Sequence, residues 1–423
     1  MNSITRLFLV FVAIKTTHLL IFYHSPGQFD ISSALLLQKY QAEKEILSTA
    51  SLTPFASLNS LISTGIRSIL DNFVDKLATW DAVYFADLFV NGITYEHQYV
   101  FCPLWWRLIR SFPVNSETVF YQRLTYATLL SNVCHFVAAI VLYKYTQAIF
   151  MQARLFPPTR MAELTATFYL LSPAAAYLTA PYSESIAALF SLLCLFCREK
   201  AVEFSIRGNP HSVKKQVVYV ASGVFASLAF GFRANCLFLG AIYIYDLVRR
   251  KSVSPLLPLA AGSILGLAFL FSNIHSYYAI CSSGDRGEWC LNRFPSLFAY
   301  AQSHYWNNGF FRYWTPNNIP NFLFGAPVIG LSLFSIRYFS KDYPVIQILP
   351  ASIVNGIFLT ALLIFWHVQI VTRIHTFVPP MYWLCAGLWI HDDYPRLKKL
   401  VLGYFILWNI VQAALFATFL PPA

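Results

Sequence analysis

The sequence predicts an all-α protein that crosses a membrane many times. Of its 423 residues, 57% are hydrophobic and only 12% charged, and the mean hydropathy is +0.53. That is too apolar for one water-soluble core with an ordinary polar surface. Apolar runs of roughly 14–25 residues recur, about eleven in all, matching bilayer crossings with a few short enough to be re-entrant or broken. The loops between them share Lys and Arg unevenly, and cationic loops stay on the cytosolic side. One integral domain over 1–423 is expected, since no repeat, low-complexity tract or soluble accessory domain stands out.

The first run, 5–23, carries Arg6 at its start and is interrupted by Lys15 and His18. Ser25-Pro26-Gly27 follows in place of a small-x-small cleavage pattern, so the run reads as an uncleaved anchor. It enters from the cytosol, which makes 24–123 a long extracytoplasmic loop. Within that loop Phe55, Leu58, Ile62, Ile66, Ile69 and Phe73 recur at three- and four-residue steps, as in a helix lying on the interface or packed on neighbouring spans. The stretch 76–90 is helix-like, with Phe85 one turn beyond Asp81 and Tyr84 one turn beyond Trp80. Aromatic walls raise a carboxylate's basicity by partial desolvation and offer an apolar face to a sugar ring. Asp87 points to a different face and is expected in solvent. For Asp81 the structural alternatives are a helix cap or a pair with Lys76. Glu96 and His97 come next, ahead of Pro103, Trp105 and Trp106 in a segment suited to the interface.

Runs 124–148, 162–180 and 184–197 follow. Ser172-Pro173 and Ala180-Pro181 interrupt hydrogen bonding inside apolar sequence. Glu184 stands at that turn, where Ser183 and Ser185 favour a cavity wall over open solvent. Runs 216–233 and 235–248 flank Arg233, and runs 345–366 and 374–391 flank Arg373 and His375. Runs 255–273, 321–336 and 400–420 complete the set. The cytosolic loops take Arg154 and Arg160, then Arg198, Lys200, Arg207, Lys214 and Lys215, then Arg249, Arg250 and Lys251. Arg337 and Lys341, and finally Arg396, Lys398 and Lys399, continue the alternation, whereas the turns at Pro181, Arg233 and Arg373 hold at most one Arg each. An arginine at the bilayer surface suits a phosphate ester or serves as a helix-end anchor.

The second long extracytoplasmic stretch, 274–320, carries Tyr305, Trp306, Tyr313 and Trp314 with Asn307, Asn308 and Arg312. Such rings and amides suit carbohydrate, and interfacial belts use the same aromatics. Cys281 and Cys290 are placed to pair in an oxidising compartment or to remain two thiols. The eight cysteines are read as scattered, without a metal pattern. The formal charge of +11 is spread over loops that set topology, so no nucleic-acid partner is expected, only membrane lipids.

In chain order, WDAVYF, YEHQYVFCPLWW, SPAAAYLTAPYSES, GFRAN, YWNNGFFRYW with IPNFLFGAPV, and QIVTR followed by PPMYW resemble the GPI mannosyltransferase 2 family, the PIG-V type, over about residues 78–385. The resemblance implies a GT-C glycosyltransferase bundle in the endoplasmic reticulum membrane with its site on the lumenal side. It implies transfer of mannose from dolichol phosphate mannose to the GPI precursor glycolipid, as the second mannose in α1,6 linkage. No cofactor beyond the lipid-linked donor is implied, and a small auxiliary membrane subunit goes with fungal-type members. The family's Trp-Asp motif falls on Trp80 and Asp81, with Asp81 as the base. Other GT-C families pair two acidic residues in this loop where this chain has Trp80, so no metal site is expected. Substrate contacts are expected from Trp80, Glu96, His97, Glu184, Arg233, Trp306, Asn307, Arg312, Arg373 and His375. The alternatives are another dolichol-phosphate-mannose-dependent enzyme, or a polytopic lipid transporter or scramblase. The lack of an inverted repeat, and polar motifs collected on one side, speak against a transporter.

Overall fold

Chain this apolar cannot leave its main-chain polar groups to lipid, so it satisfies them locally in helices. The computed structural model describes residues 1–49, 56–101, 103–207, 213–249, 253–282 and 287–421, with main chain only for 56–60 and 204–207. Among the described residues there is no strand. Helix α1 (Ser3–His24) leads into a layer of shorter helices, α2 (Ser32–Gln38), α3 (Gln41–Thr49), α4 (Ala56–Ile69), α5 (Asp81–Asn91) and α6 (Pro103–Arg110). The bundle continues through α7 (Val119–Phe150), α8 (Pro158–Leu170), α9 (Glu184–Arg207), α10 (Val213–Phe232), α11 (Gly240–Arg249) and α12 (Leu256–Cys281). After α13 (Leu297–His304) come α14 (Ile319–Arg337), α15 (Leu349–Phe365), the single turn α16 (Val371–Ile374), α17 (Pro380–Ile390) and α18 (Pro395–Ala417).

Seven of the described helical stretches are long and apolar enough to cross a membrane: α1, α7, α10, α12, Pro316–Asp342, Ile346–Phe365 and α18. The multi-pass architecture stands, and the expected eleven runs resolve into these seven plus four others. Of those four, 162–180 is cut where α8 stops at Leu170, 235–248 opens with a 3-10 stretch, 374–391 yields only the short α17, and α9 extends into Arg198, Glu199 and Lys200. At the centre, α9 packs on α7 and α10, α10 on α12, α7 on α8, and α17 on α8 and α14. A Cβ on Gly223 would meet the Ala261 Cα at 2.7 Å, so α10 and α12 touch backbone to backbone there. Arg198 and Lys215, expected in solvated loops, are buried. Arg198 Nε donates to Asp246 Oδ2 at 2.9 Å, and the Tyr219 hydroxyl donates to the same oxygen at 2.6 Å. A desolvated charge requires such pairing. In the 55–73 pattern, Phe55 lies outside the described residues. Ile66 packs beside Leu70 and Tyr121, while Leu61 and Ile69 stay exposed, so α4 both packs and keeps an apolar outer face.

The break between α8 and α9 positions the site. From Ser172 to Ser183 the chain is non-helical except for a 3-10 turn, Ala175–Leu178, and all of it is buried. Pro173 and Pro181 have no N–H to offer, and remote side chains supply the missing bonds. Lys15 Nζ donates to the Leu178 carbonyl at 2.8 Å, Asn132 Nδ2 to Thr179 at 2.8 Å, and Trp105 Nε1 to Pro181 at 3.0 Å. Gln412 Oε1 accepts from the Ala176 N–H at 2.8 Å, and His18 Nδ1 lies 2.7 Å from Thr179 Oγ1. Irregular backbone at membrane depth persists only where protein satisfies it in this way. The polar interruptions at Lys15 and His18 in the first apolar run therefore serve the break.

Candidate active site

Trp80 sits at φ 54° and ψ −131°, a strained conformation for a residue with a Cβ. The turn it makes starts α5 at Asp81. Tyr182, from the broken segment, holds that turn: its hydroxyl donates to the Thr79 carbonyl at 2.8 Å and accepts from the Ala82 N–H at 3.2 Å. Opposite the turn, Arg373 on α16 donates from Nη2 to Asp81 Oδ2 at 2.6 Å and from Nε to Glu184 Oε1. Arg233 Nη2 approaches the same Glu184 oxygen at 3.4 Å. The Arg373 guanidinium carbon stands 4.7 Å from the Tyr177 ring centre and 5.0 Å from that of Tyr182, a cation–π contact with each of two rings that meet edge to face 5.1 Å apart. Burial works against the charge on Arg373, and Asp81 and Glu184 more than offset it, so its proton is held more tightly than in an ordinary arginine.

Exposure is graded across this group. The Asp81 side chain is 33% exposed, that of Arg373 10% and that of Glu184 1%. Asp81 thus faces a cavity of about 420 Å³ whose wall also includes Trp80, Arg233, Trp306 and Arg373. Glu184 stands behind the two arginines, so its expected place on the cavity wall becomes a tether behind that wall. The Lys76 alternative for Asp81 is removed, because Lys76 Nζ donates to the Phe22 carbonyl at 3.0 Å and to that of Ser25. Asp87 is not simply solvated: it accepts from Asn91 Nδ2 at 2.8 Å and from Gln98 Nε2 at 3.3 Å.

Five other expected contacts lie elsewhere. Glu96 accepts the Trp289 indole N–H, which ties the first long loop to the second. His97 is enclosed by the Tyr84, Tyr95, Phe101 and Tyr305 rings, and burial pushes its imidazole below the ordinary value. His375 is 1% exposed and bonds from Nε2 to Ser332 Oγ at 2.8 Å and Asn355 Oδ1 at 2.9 Å, inside the packing of α14 and α15. Asn307, at φ 50°, and Arg312 are exposed outside the cavity wall, where the neighbour Asn308 takes part instead. Nothing in their spacing marks out Tyr177 and Tyr182, although both fall inside the SPAAAYLTAPYSES motif. Cys281 and Cys290 form a disulfide. Cys194 and Cys197 do have C-x-x-C spacing inside α9, but among the described residues no group of three His, Cys, Asp or Glu stands together as metal ligands.

A family model described as Mannosyltransferase (PIG-V) matches residues 7–355 and 345–423, which is most of the chain. The chain belongs to the PIG-V mannosyltransferase family. Among its PIG-V relatives, GPI mannosyltransferase 2 of Candida albicans is 39% identical over 425 residues, 99% of each chain. The protein of the same name from Eremothecium gossypii is 34% identical, with both chains fully covered. Among solved structures, an oligosaccharyltransferase of Archaeoglobus fulgidus superposes with a TM-score of 0.44 at 13% identity, over 77% of this chain and 45% of that one. In this PIG-V chain the Trp-Asp pair and the GFRAN and QIVTR motifs, far apart in sequence, meet at one cavity.

Proposed function

We propose that this protein is a GPI-anchor mannosyltransferase of the endoplasmic reticulum membrane, acting at the lumenal surface. It transfers mannose from dolichol phosphate mannose to the mannosyl-glucosaminyl-phosphatidylinositol precursor, as the second mannose in α1,6 linkage. The observation that carries this reading is Arg373 bridging Asp81 and Glu184 at the wall of the cavity. Asp81 Oδ2 takes the arginine bond, and Oδ1 accepts the proton of the acceptor's 6-hydroxyl as that oxygen attacks C1 of the donor sugar. The C1–O bond to phosphate breaks, its electron pair leaves with dolichyl phosphate, and inversion converts β to α. Negative charge disappears from Asp81 as it grows on the phosphate. One guanidinium next to both stabilises the two ends of that shift, with Arg233 as the second cation. Trp80 offers an apolar face beside the carboxylate. The positive charge facing the leaving group is guanidinium, so the reading needs no cofactor or metal.

The test is Asp81→Asn, which keeps size and hydrogen bonding but cannot take the proton. Transfer should fall by about 10²–10⁴-fold while the protein accumulates normally. Purified Asp81→Asn with wild-type turnover would sink the assignment. Cells depleted of the protein should accumulate a GPI precursor bearing one mannose. An unmannosylated precursor, or mislocalised lipid, would favour a scramblase instead.

A further inference from the structure

Among the described residues of the cavity wall, the charged side chains are Asp81, Arg233 and Arg373, and the others are neutral. Gln302, near the end of α13, and Asn308 bond to each other twice. Asn308 Nδ2 donates to Gln302 Oε1 at 2.6 Å, and the Asn308 N–H donates to the Gln302 carbonyl at 2.8 Å. Among the described residues Asn308 Oδ1 is buried and finds no donor. A carbonyl oxygen in that state can take a donor from a water or from a bound hydroxyl. Gln369 Oε1 accepts the Tyr313 hydroxyl at 2.6 Å, a bond that uses the acceptor of this amide and not its Nε2 hydrogens. Main-chain bonds from Gly309 to Phe365 at 3.0 Å and from Phe311 to Ile364 at 2.7 Å join the two strips into one wall. His367, between Trp366 and Gln369, donates from Nε2 to the Trp306 carbonyl at 2.9 Å, and burial holds its ring below the ordinary pKa, hence uncharged at neutral pH.

A phosphate would go to the arginines. A wall that combines an unmet acceptor, amide donors and indole faces matches a hexose, whose hydroxyls donate and accept around an apolar C–H face. We propose that Asn308, Gln302 and Gln369 are specificity-determining residues that hold a hexose ring, with Asn308 Oδ1 accepting one of its hydroxyls and the glutamine amides donating to others. This rests on the glycosyl-transfer reading above. The donor mannose and the acceptor mannose offer the same chemistry, and kinetics separates them.

The experiment uses the purified full-length enzyme in nanodiscs, with dolichol phosphate mannose and the one-mannose acceptor each varied in turn, for Asn308→Ala and Gln369→Met. Losing one hydrogen bond to a substrate hydroxyl costs up to about tenfold in affinity. The KM for one of the two sugars should therefore rise by up to about that factor, and by more than kcat falls. A rise confined to the donor assigns the wall to the donor sugar, and a rise confined to the acceptor assigns it to the acceptor. Asn308→Ser, which restores an acceptor, should recover part of the loss, and Gln369→Met carries the test if Asn308→Ala fails to accumulate. Unchanged KM for both substrates, or a fall in kcat alone, overturns the proposal. If wild-type enzyme transfers no mannose at all, it is the glycosyl-transfer reading that fails.

Discussion

At the scale of the residue, Arg373 is the position on which the site turns, because its Nε and Nη2 serve two carboxylates at once. Arg373→Lys keeps the charge but not the planar fork, so the donor KM should rise and kcat should fall while the protein still folds. Arg373→Ala removes the bridge and leaves the buried Glu184 uncompensated by it, a change of about 3–5 kcal/mol in other buried pairs. Its abundance and thermal stability should drop along with activity. Measured donor dependence and melting temperature decide both, and normal values in the two variants would return Arg373 to a helix-end anchor. Spacing alone brought out Asp81, Arg233 and Arg373, since each is an ionisable group in or beside apolar sequence. Spacing did not reveal that Glu184 would hold the arginines from behind, or that Glu96 and His375 would be taken up by structural partners. Which of several isolated polar residues finds a protein partner depends on elements hundreds of residues away.

At the scale of the element, the broken segment between α8 and α9 depends on side chains from α1, α6, α7 and α18. Gln412→Leu should leave the Ala176 N–H unmet and cost about 1–3 kcal/mol. Because Tyr182 and Glu184 follow directly, transfer should decline with the stability, as thermal unfolding in detergent and an activity assay would show. Retained stability and activity together would mean that the segment finds another acceptor. The Cys281–Cys290 bridge closes a loop that sets Trp289 against Glu96. In the chain-entropy picture a loop of about ten residues gains roughly 2–3 kcal/mol, and mass spectrometry of unreduced peptides should recover the two cysteines joined. The wall strip also predicts a pH dependence. His367 has a lowered pKa when folded, so below the ordinary imidazole value of about 6.5 the unfolded chain binds the extra proton. Its contribution is fully present above that value and is lost as pH falls toward the lowered one. The melting temperature should therefore drop on acidification, and His367→Gln should flatten the drop. The prolines announced the break in the sequence. The bonds that make it affordable at membrane depth were not announced, because their donors lie in distant helices.

At the scale of the whole molecule, the Lys and Arg asymmetry predicts an orientation that glycosylation mapping checks. Acceptor sites inserted near Gln28 or Ser283 should be glycosylated and one near Ser205 should not; Ser283 lies outside the described residues. Modification at Ser205 with none at Gln28 would invert the scheme. Composition and the spacing of apolar runs determined by themselves that the chain is helical and multi-pass, because the cost of exposing main-chain polar groups to lipid acts on every segment locally. The ordered motifs likewise determined the family. Only the tertiary structure decided which motifs meet at the candidate site. It joined α5, the α8–α9 break, the start of the 3-10 turn after α10, and α16 around one cavity, and sent Glu96, His97 and His375 into structural bonds. The physical reason is that a buried charge or amide must find a partner wherever packing brings one, and that meeting is a property of three-dimensional proximity, which spacing along the chain does not encode.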